Sequence, residues 1–137
     1  MAPIRHKARI VALQVLFEFD CSGHDAETSL DWLAAEQALP ESALSFAQEL
    51  VRGVLENKEQ IDSLIKTYAP NWPVEQLSTV DRNILRLAIF EILINNKTEF
   101  KVAINEAVEL AKAFGSYNSY KFINGVLRTI GQIQINS

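Results

Sequence analysis

Four side chains near the start of this chain are the ones best equipped to act on a partner. Arg5, His6, Lys7 and Arg9 bring two guanidiniums, an ammonium and an imidazole into five residues. Cations at that density neutralise phosphates, and the counterions they release supply much of the affinity of a nucleic-acid contact. The surroundings sharpen the signal. From residue 10 to 51 there is no Lys or Arg, while the acids of the same stretch include Asp20, Asp25, Glu27, Asp31, Glu36, Glu41 and Glu49. The net charge of −4 excludes a generic polyanion binder and leaves a local basic patch on an acidic body. The competing reading of these four residues is a solvated helix face.

Other chemistries lack their residues. The five glycines are scattered, with no phosphate-cradling loop and no dinucleotide fingerprint. One cysteine, Cys21, excludes an internal disulfide. His6 and His24 are the only histidines, so the ligand set of a structural zinc is missing. Cys21 and His24 stand three apart, but two ligands do not make a site. Glu106 and Glu109 share a helical turn and read as solvated or capping carboxylates rather than an acid–base pair. With no nucleophile elbow and no convergent polar group, the chain is expected to be no enzyme and to hold no cofactor or metal.

The elements that must position the basic residues are helices. Ile4, Ala8, Val11, Ala12, Val15 and Phe19 recur at spacings of three and four, one apolar stripe. Arg5 and Arg9 fall a turn apart on the other side, with His6 beside them. Pro3 fits the first turn and Gly23 the C-terminal cap. A second helix is predicted over 25–39, stopped by Pro40. A long third one is predicted over 42–68, with Gly53 inside it marking a close crossing. Pro70 and Pro73 break the pattern at 69–73 and make a joint. Beyond it, a short helix is expected over 73–77 and Thr79 as the next cap. Residues 80–94 are apolar nearly all round, the mark of a central buried helix, with Arg82 and Arg86 as its polar ridge. Helices are predicted from Phe100 to a Gly115 cap and through Phe122, Ile123, Val126, Leu127 and Ile130. The tail Ile133-Gln134-Ile135 is expected to fray.

With 137 residues and no strand of any strength, the expectation is a single all-α domain of about seven helices. It would form two small bundles, about 1–69 and about 73–132, joined at the prolines. A chain this long buries roughly two thirds of its unfolded surface and needs no staples. Its apolar runs are too short and too often broken by charge to span a membrane. The first residues run straight into a helical pattern without a signal-peptide core, so the expected location is cytoplasmic.

Two blocks are more specific than periodicity: VDRNILRLAIFEIL over 80–93, and KVAINEAVELAK over 101–112 running on through Phe114-Gly115 to KFINGVL over 121–127. Together with RHKAR over 5–9 and ALQVLF over 12–17, they make essentially the whole chain resemble the NusB family of bacterial transcription antitermination factors. The stretch from Ser22 to Pro73 is generic helix. The resemblance implies two roughly perpendicular helical bundles that bind boxA-like single-stranded RNA of ribosomal RNA leaders. It implies binding as a heterodimer with the small-subunit ribosomal protein NusE, within the RNA polymerase antitermination complex.

Carried over residue by residue, the family's basic N-terminal helix falls on Arg5, His6, Lys7 and Arg9. RNA contact extends by resemblance to Asn118, Lys121 and Phe122 at the start of the last helix, with Tyr68 as a further stacking candidate. Phe122 has an alternative as a core aromatic. The partner surface is carried over onto Glu75 and Asp81, acids suited to steer a basic protein, or ordinary first-turn acids favoured by the helix dipole. Asn105, Glu106, Asn124 and Gly125 read as structural, the last two as a tight helix crossing. The competing function is an interaction-only module, for instance a homodimer that buries its basic face. An enzyme fused to such a domain has no room in this chain.

Overall fold

The computed structural model describes residues 2–71 and 73–136, with side chains over 4–71 and 73–132; Trp72 of the proline joint lies outside them. Seven α-helices follow in order: α1 Ala2–Ser22, α2 Ala26–Glu36, α3 Glu41–Glu56, α4 Lys58–Tyr68, α5 Thr79–Ile89, α6 Phe100–Phe114 and α7 Ser119–Asn136. Among the described residues there is no strand. The fold is all-α, as the sequence predicts, and one continuous core draws side chains from all seven helices. None of the described helices is long and apolar enough to cross a membrane.

Helix α1 sits at the centre. It packs on α2, α3 and α5. Ala8, Val11, Ala12, Val15 and Leu16 are its buried stripe. Phe19, expected on that stripe, is exposed instead. Gly23 ends α1 in the left-handed region at φ +72°, a conformation that favours glycine. Asp25 then caps α2, its carboxylate accepting from the Thr28 N–H at 2.9 Å. Helix α2 stops short of the expected Leu39, because Ala38 turns left-handed at φ +52° before Pro40 is reached.

The single long third helix of the sequence reading is two helices. Asn57 breaks it: its Nδ2 donates to the Gly53 carbonyl at 2.8 Å, offering the backbone a local alternative to the helical ladder. Helix α4 then packs against α5 and α7 as well as α3. Gly53 does mark a close crossing. A Cβ built there would stand 2.1 Å from the Phe90 ring. Gly125, expected to mark another, has nothing within 4 Å of such a Cβ. The tight α6–α7 approach is at Gly131, against the Phe100 ring.

After the joint, the expected short helix is a single 3-10 turn, Val74–Gln76. Ser78 caps α5 in place of Thr79, its hydroxyl accepting from the Asp81 N–H at 3.1 Å. The predicted helix over 80–94 is α-helical only to Ile89. It finishes as a π-type turn, Phe90–Asn95, closed by Asn96 at φ +55°. The wider turn leaves Phe90, Glu91 and Ile92 all buried. The backbone of α7 stays helical through Asn136, where a frayed tail was expected; the side chains of the Ile133-Gln134-Ile135 tail lie outside the described ones.

Arg82 and Arg86 tie three helices together. Arg86 donates to both oxygens of Asp62 in α4 at 2.8 and 2.9 Å, and to Asp20 of α1 at 3.1 Å. Arg82 donates to the same Asp20 oxygen at 2.7 Å. Burial pushes the Asp20 carboxyl up. Hydrogen bonds from Arg82 and Asn83, with the charges of Arg82 and Arg86, outweigh it and hold the group below the usual carboxylate range. A carboxyl with a lower pKa folded than unfolded stabilises above its unfolded value, near ~3.9, and loses that contribution as pH falls through the folded value. Asp20→Asn is therefore expected to lower stability at pH 7 and to flatten the acid limb below about pH 4, read by urea unfolding across pH.

Candidate nucleic-acid interface

The N-terminal basic residues do not act as one face. Arg5 and Lys7 are exposed, His6 is half-buried and Arg9 is 3% exposed. Arg9 donates through Nε and Nη2 to the two oxygens of Glu91 at 2.9 and 2.8 Å, and through Nη1 to Glu106 Oε1 at 3.2 Å. Thr98 donates to Glu91 at 2.8 Å and completes its shell. Burial alone would lower the Arg9 pKa, but the hydrogen bonds and charges of Glu91 and Glu106 raise it, so the guanidinium stays charged in its buried place. The sequence expectation of Arg9 on the polar side of α1, beside Arg5, is corrected: it is a buried fork joining α1 to the π-type turn and α6. Helical spacing misses this because Glu91 lies 82 residues away.

Arg5 and His6 are held in place. The Arg5 guanidinium lies 4.5 Å over the Phe46 ring of α3. His6 Nδ1 stands 3.0 Å from Glu106 Oε1. Glu106, read from sequence as a solvated or structural acid, thus grips both His6 and Arg9.

A second basic cluster stands where α6 meets α7. Lys112 and Lys121 approach the Tyr120 ring at 5.4 and 6.0 Å. Tyr117 is 88% exposed next to exposed Asn118. Lys112, Tyr117 and Tyr120 were missed by the sequence reading. The signal was present in Tyr117-Asn118-Ser119-Tyr120-Lys121, where aromatics interleave with donors as base stacking requires. Phe122 and Tyr68 are half-buried and both pack against the core. Tyr68 closes α4 and shares no ring contact or hydrogen bond with either basic cluster among the described residues.

Phe122 and Asn118 also line a cleft of about 370 Å³ with Ser78, Asp81 and Ser116. The Asp81 Oδ1 atom is buried there without a hydrogen-bond partner. A residue assigned from sequence to a protein partner and two assigned to RNA therefore share one cleft. Glu75 is exposed on the 3-10 turn and faces a separate recess with Lys58 and Arg82. Next to Asp81 in sequence, Val80 lines an apolar groove of about 340 Å³ with Leu13, Phe17, Leu33 and Phe114. Phe17 and Phe114 are 38% and 41% exposed. Among the described residues, no cluster of His, Cys, Asp or Glu is arranged to hold a metal ion.

The sequence model of the NusB family matches residues 6–132. The chain belongs to the NusB family. It is 49% identical over 132 residues to the transcription antitermination protein NusB of Dehalococcoides mccartyi strain CBDB1, spanning 96% of this chain and 92% of that protein. Among solved structures it resembles T. maritima NusB, with a TM-score of 0.86 and 36% identity over 93% of this chain and 90% of the other. It also resembles a chain in a crystal structure of antitermination factors NusB and NusE in complex with dsRNA. There the TM-score is 0.88 and the identity 28%, over 97% of this chain and 99% of that one. The NusB family is one of transcription antitermination factors and not of enzymes.

Proposed function

We propose that this chain is a non-enzymatic RNA-binding transcription antitermination factor. It takes boxA-type single-stranded RNA of ribosomal RNA leaders together with NusE, and joins the RNA polymerase antitermination complex in the cytoplasm. The observation that carries the RNA and NusE part of the reading is likeness over nearly the full chain to a fold solved with NusE and dsRNA; the single-stranded boxA preference is what membership of the family implies. The two basic clusters support it. Arg5 and Lys7 on one, Lys112 and Lys121 on the other, supply cations, and Tyr117 and Tyr120 supply stacking faces. The apolar groove with exposed Phe17 and Phe114, and Asp81 in the neighbouring cleft one residue on from Val80, suit a basic partner with an apolar anchor, acid for steering and aromatics for affinity.

The test is fluorescence anisotropy on a short boxA-type RNA and a scrambled control, with and without NusE. Binding should be sequence-selective and tighten with NusE. Three neutralised phosphates give a log–log salt slope of about −2. Asp81→Lys should weaken NusE binding at least tenfold and binding of RNA by the isolated chain much less. Equal weak binding to both RNAs, unchanged by NusE, would leave an interaction-only module that uses the apolar groove, for instance as a homodimer.

A further inference from the structure

We propose that Glu106 is a positioning residue for RNA and couples RNA binding to proton uptake by His6; this rests on the RNA-binding reading above. The argument begins with charge. Glu91 and Glu106 bring two negative charges to a site where Arg9 brings one positive charge. His6 is the remaining ionisable group in contact with them, through Glu106 Oε1 at 3.0 Å. The groups joined to the imidazole are Glu106 from α6, Arg9 of α1 through the same carboxylate oxygen, and Glu91 of the π-type turn behind Arg9. On the α3 side, Phe46 presents a ring to Arg5 and Arg9 rather than a charge. Among the described residues, a neutral His6 leaves this cluster with one net negative charge, which a proton on the imidazole would offset.

Geometry supplies the second half. A carboxylate oxygen accepts, so the imidazole places its Nδ1 proton in the Glu106 contact. The other nitrogen, Nε2, is then the one left to meet a ligand, on a side chain 38% exposed between the exposed Arg5 and Lys7. In the neutral ring held this way, Nε2 carries a lone pair and repels a phosphate oxygen. In the imidazolium both nitrogens donate, Nδ1 to Glu106 and Nε2 to phosphate. Glu106 thereby forbids the neutral tautomer that would contact phosphate without a proton. The phosphate contact requires one proton from solvent, and it leaves as the RNA leaves.

The experiment is the pH dependence of affinity for the boxA-type RNA, measured by anisotropy from pH 6 to 8 on the full chain with NusE present. Wild-type affinity should rise by about three- to tenfold from pH 7.5 to 6, with a slope no steeper than one proton per RNA. His6→Gln keeps a donor at the site and should flatten the profile. Glu106→Ala frees the ring to use its other tautomer and should also flatten it, while Arg9 keeps Glu91. By NMR at pH 7, adding RNA should move the His6 ring signals toward those of an imidazolium and leave the His24 ring signals in place. Selective RNA binding with no pH dependence, or an unchanged slope in His6→Gln, overturns this inference and leaves the RNA reading standing. No selective binding at any pH overturns both.

Discussion

Arg9→Glu is expected to lower unfolding stability by at least about 3–5 kcal/mol, because it removes one partner of a buried ion pair and adds a third carboxylate beside Glu91 and Glu106. Arg5→Glu, one turn away, should cost no more than about 1 kcal/mol, the scale of an exposed cation–π contact with Phe46. The functional order is the reverse. Arg5→Glu should weaken RNA binding with the fold intact, since its charge faces solvent. Urea unfolding followed by circular dichroism, with anisotropy on the folded variants, separates the two. A folded Arg9→Glu chain of normal stability that has lost RNA would put Arg9 at the surface and refute the buried fork. Joint charge reversal at both positions, which helical spacing recommends as a pure binding test, would report mostly unfolding.

The second large effect contrasts two glycines. Gly53→Ala places a methyl carbon 2.1 Å from the Phe90 ring. Both residues are buried at the meeting of α3 with the π-type turn, so neither gives way freely. The expected cost is about 1–3 kcal/mol, the usual scale of overpacking. Gly125→Ala meets open space inside a helix and should gain about 0.5–1 kcal/mol from helix propensity. Opposite shifts of the urea midpoint, at unchanged slope, would bear this out; destabilisation by both would mean that Gly125 is packed after all.

These contrasts mark where the sequence was legible. Helix order, the α1 stripe around Ala8 and Val15, and the crossing at Gly53 follow from local spacing. The family follows from the blocks over 80–93 and 101–127. What spacing misses depends on residues far along the chain. Arg5 and Arg9 are alike in type and a turn apart; only Glu91 and Glu106 send one inward. A trace of that was readable, since an acid at 91 inside an apolar run needs a partner. Gly53 and Gly125 also look alike, and what separates them is an aromatic ring on another helix. The split at Asn57 turns on one side-chain amide competing with the ladder, a choice that propensity leaves open.

The same buried fork sets the order in which the protein becomes competent during synthesis. Helix α1 leaves the ribosome well before its anchors, which lie 82 and 97 residues downstream. At about 5–20 residues per second, the nascent chain spends several seconds or more with Arg9 unpaired and α1 undocked. Fragments ending before Glu91 carry the cations but no carboxylate to draw Arg9 inward, so they display an unsorted basic segment. The discrimination between a cation that folds the molecule and cations that touch a partner is made only when the second half of the chain arrives. Chains truncated after residue 90 and after residue 114 should therefore differ in kind: loose, salt-sensitive attraction to any polyanion in the first, a defined basic edge beginning to form in the second.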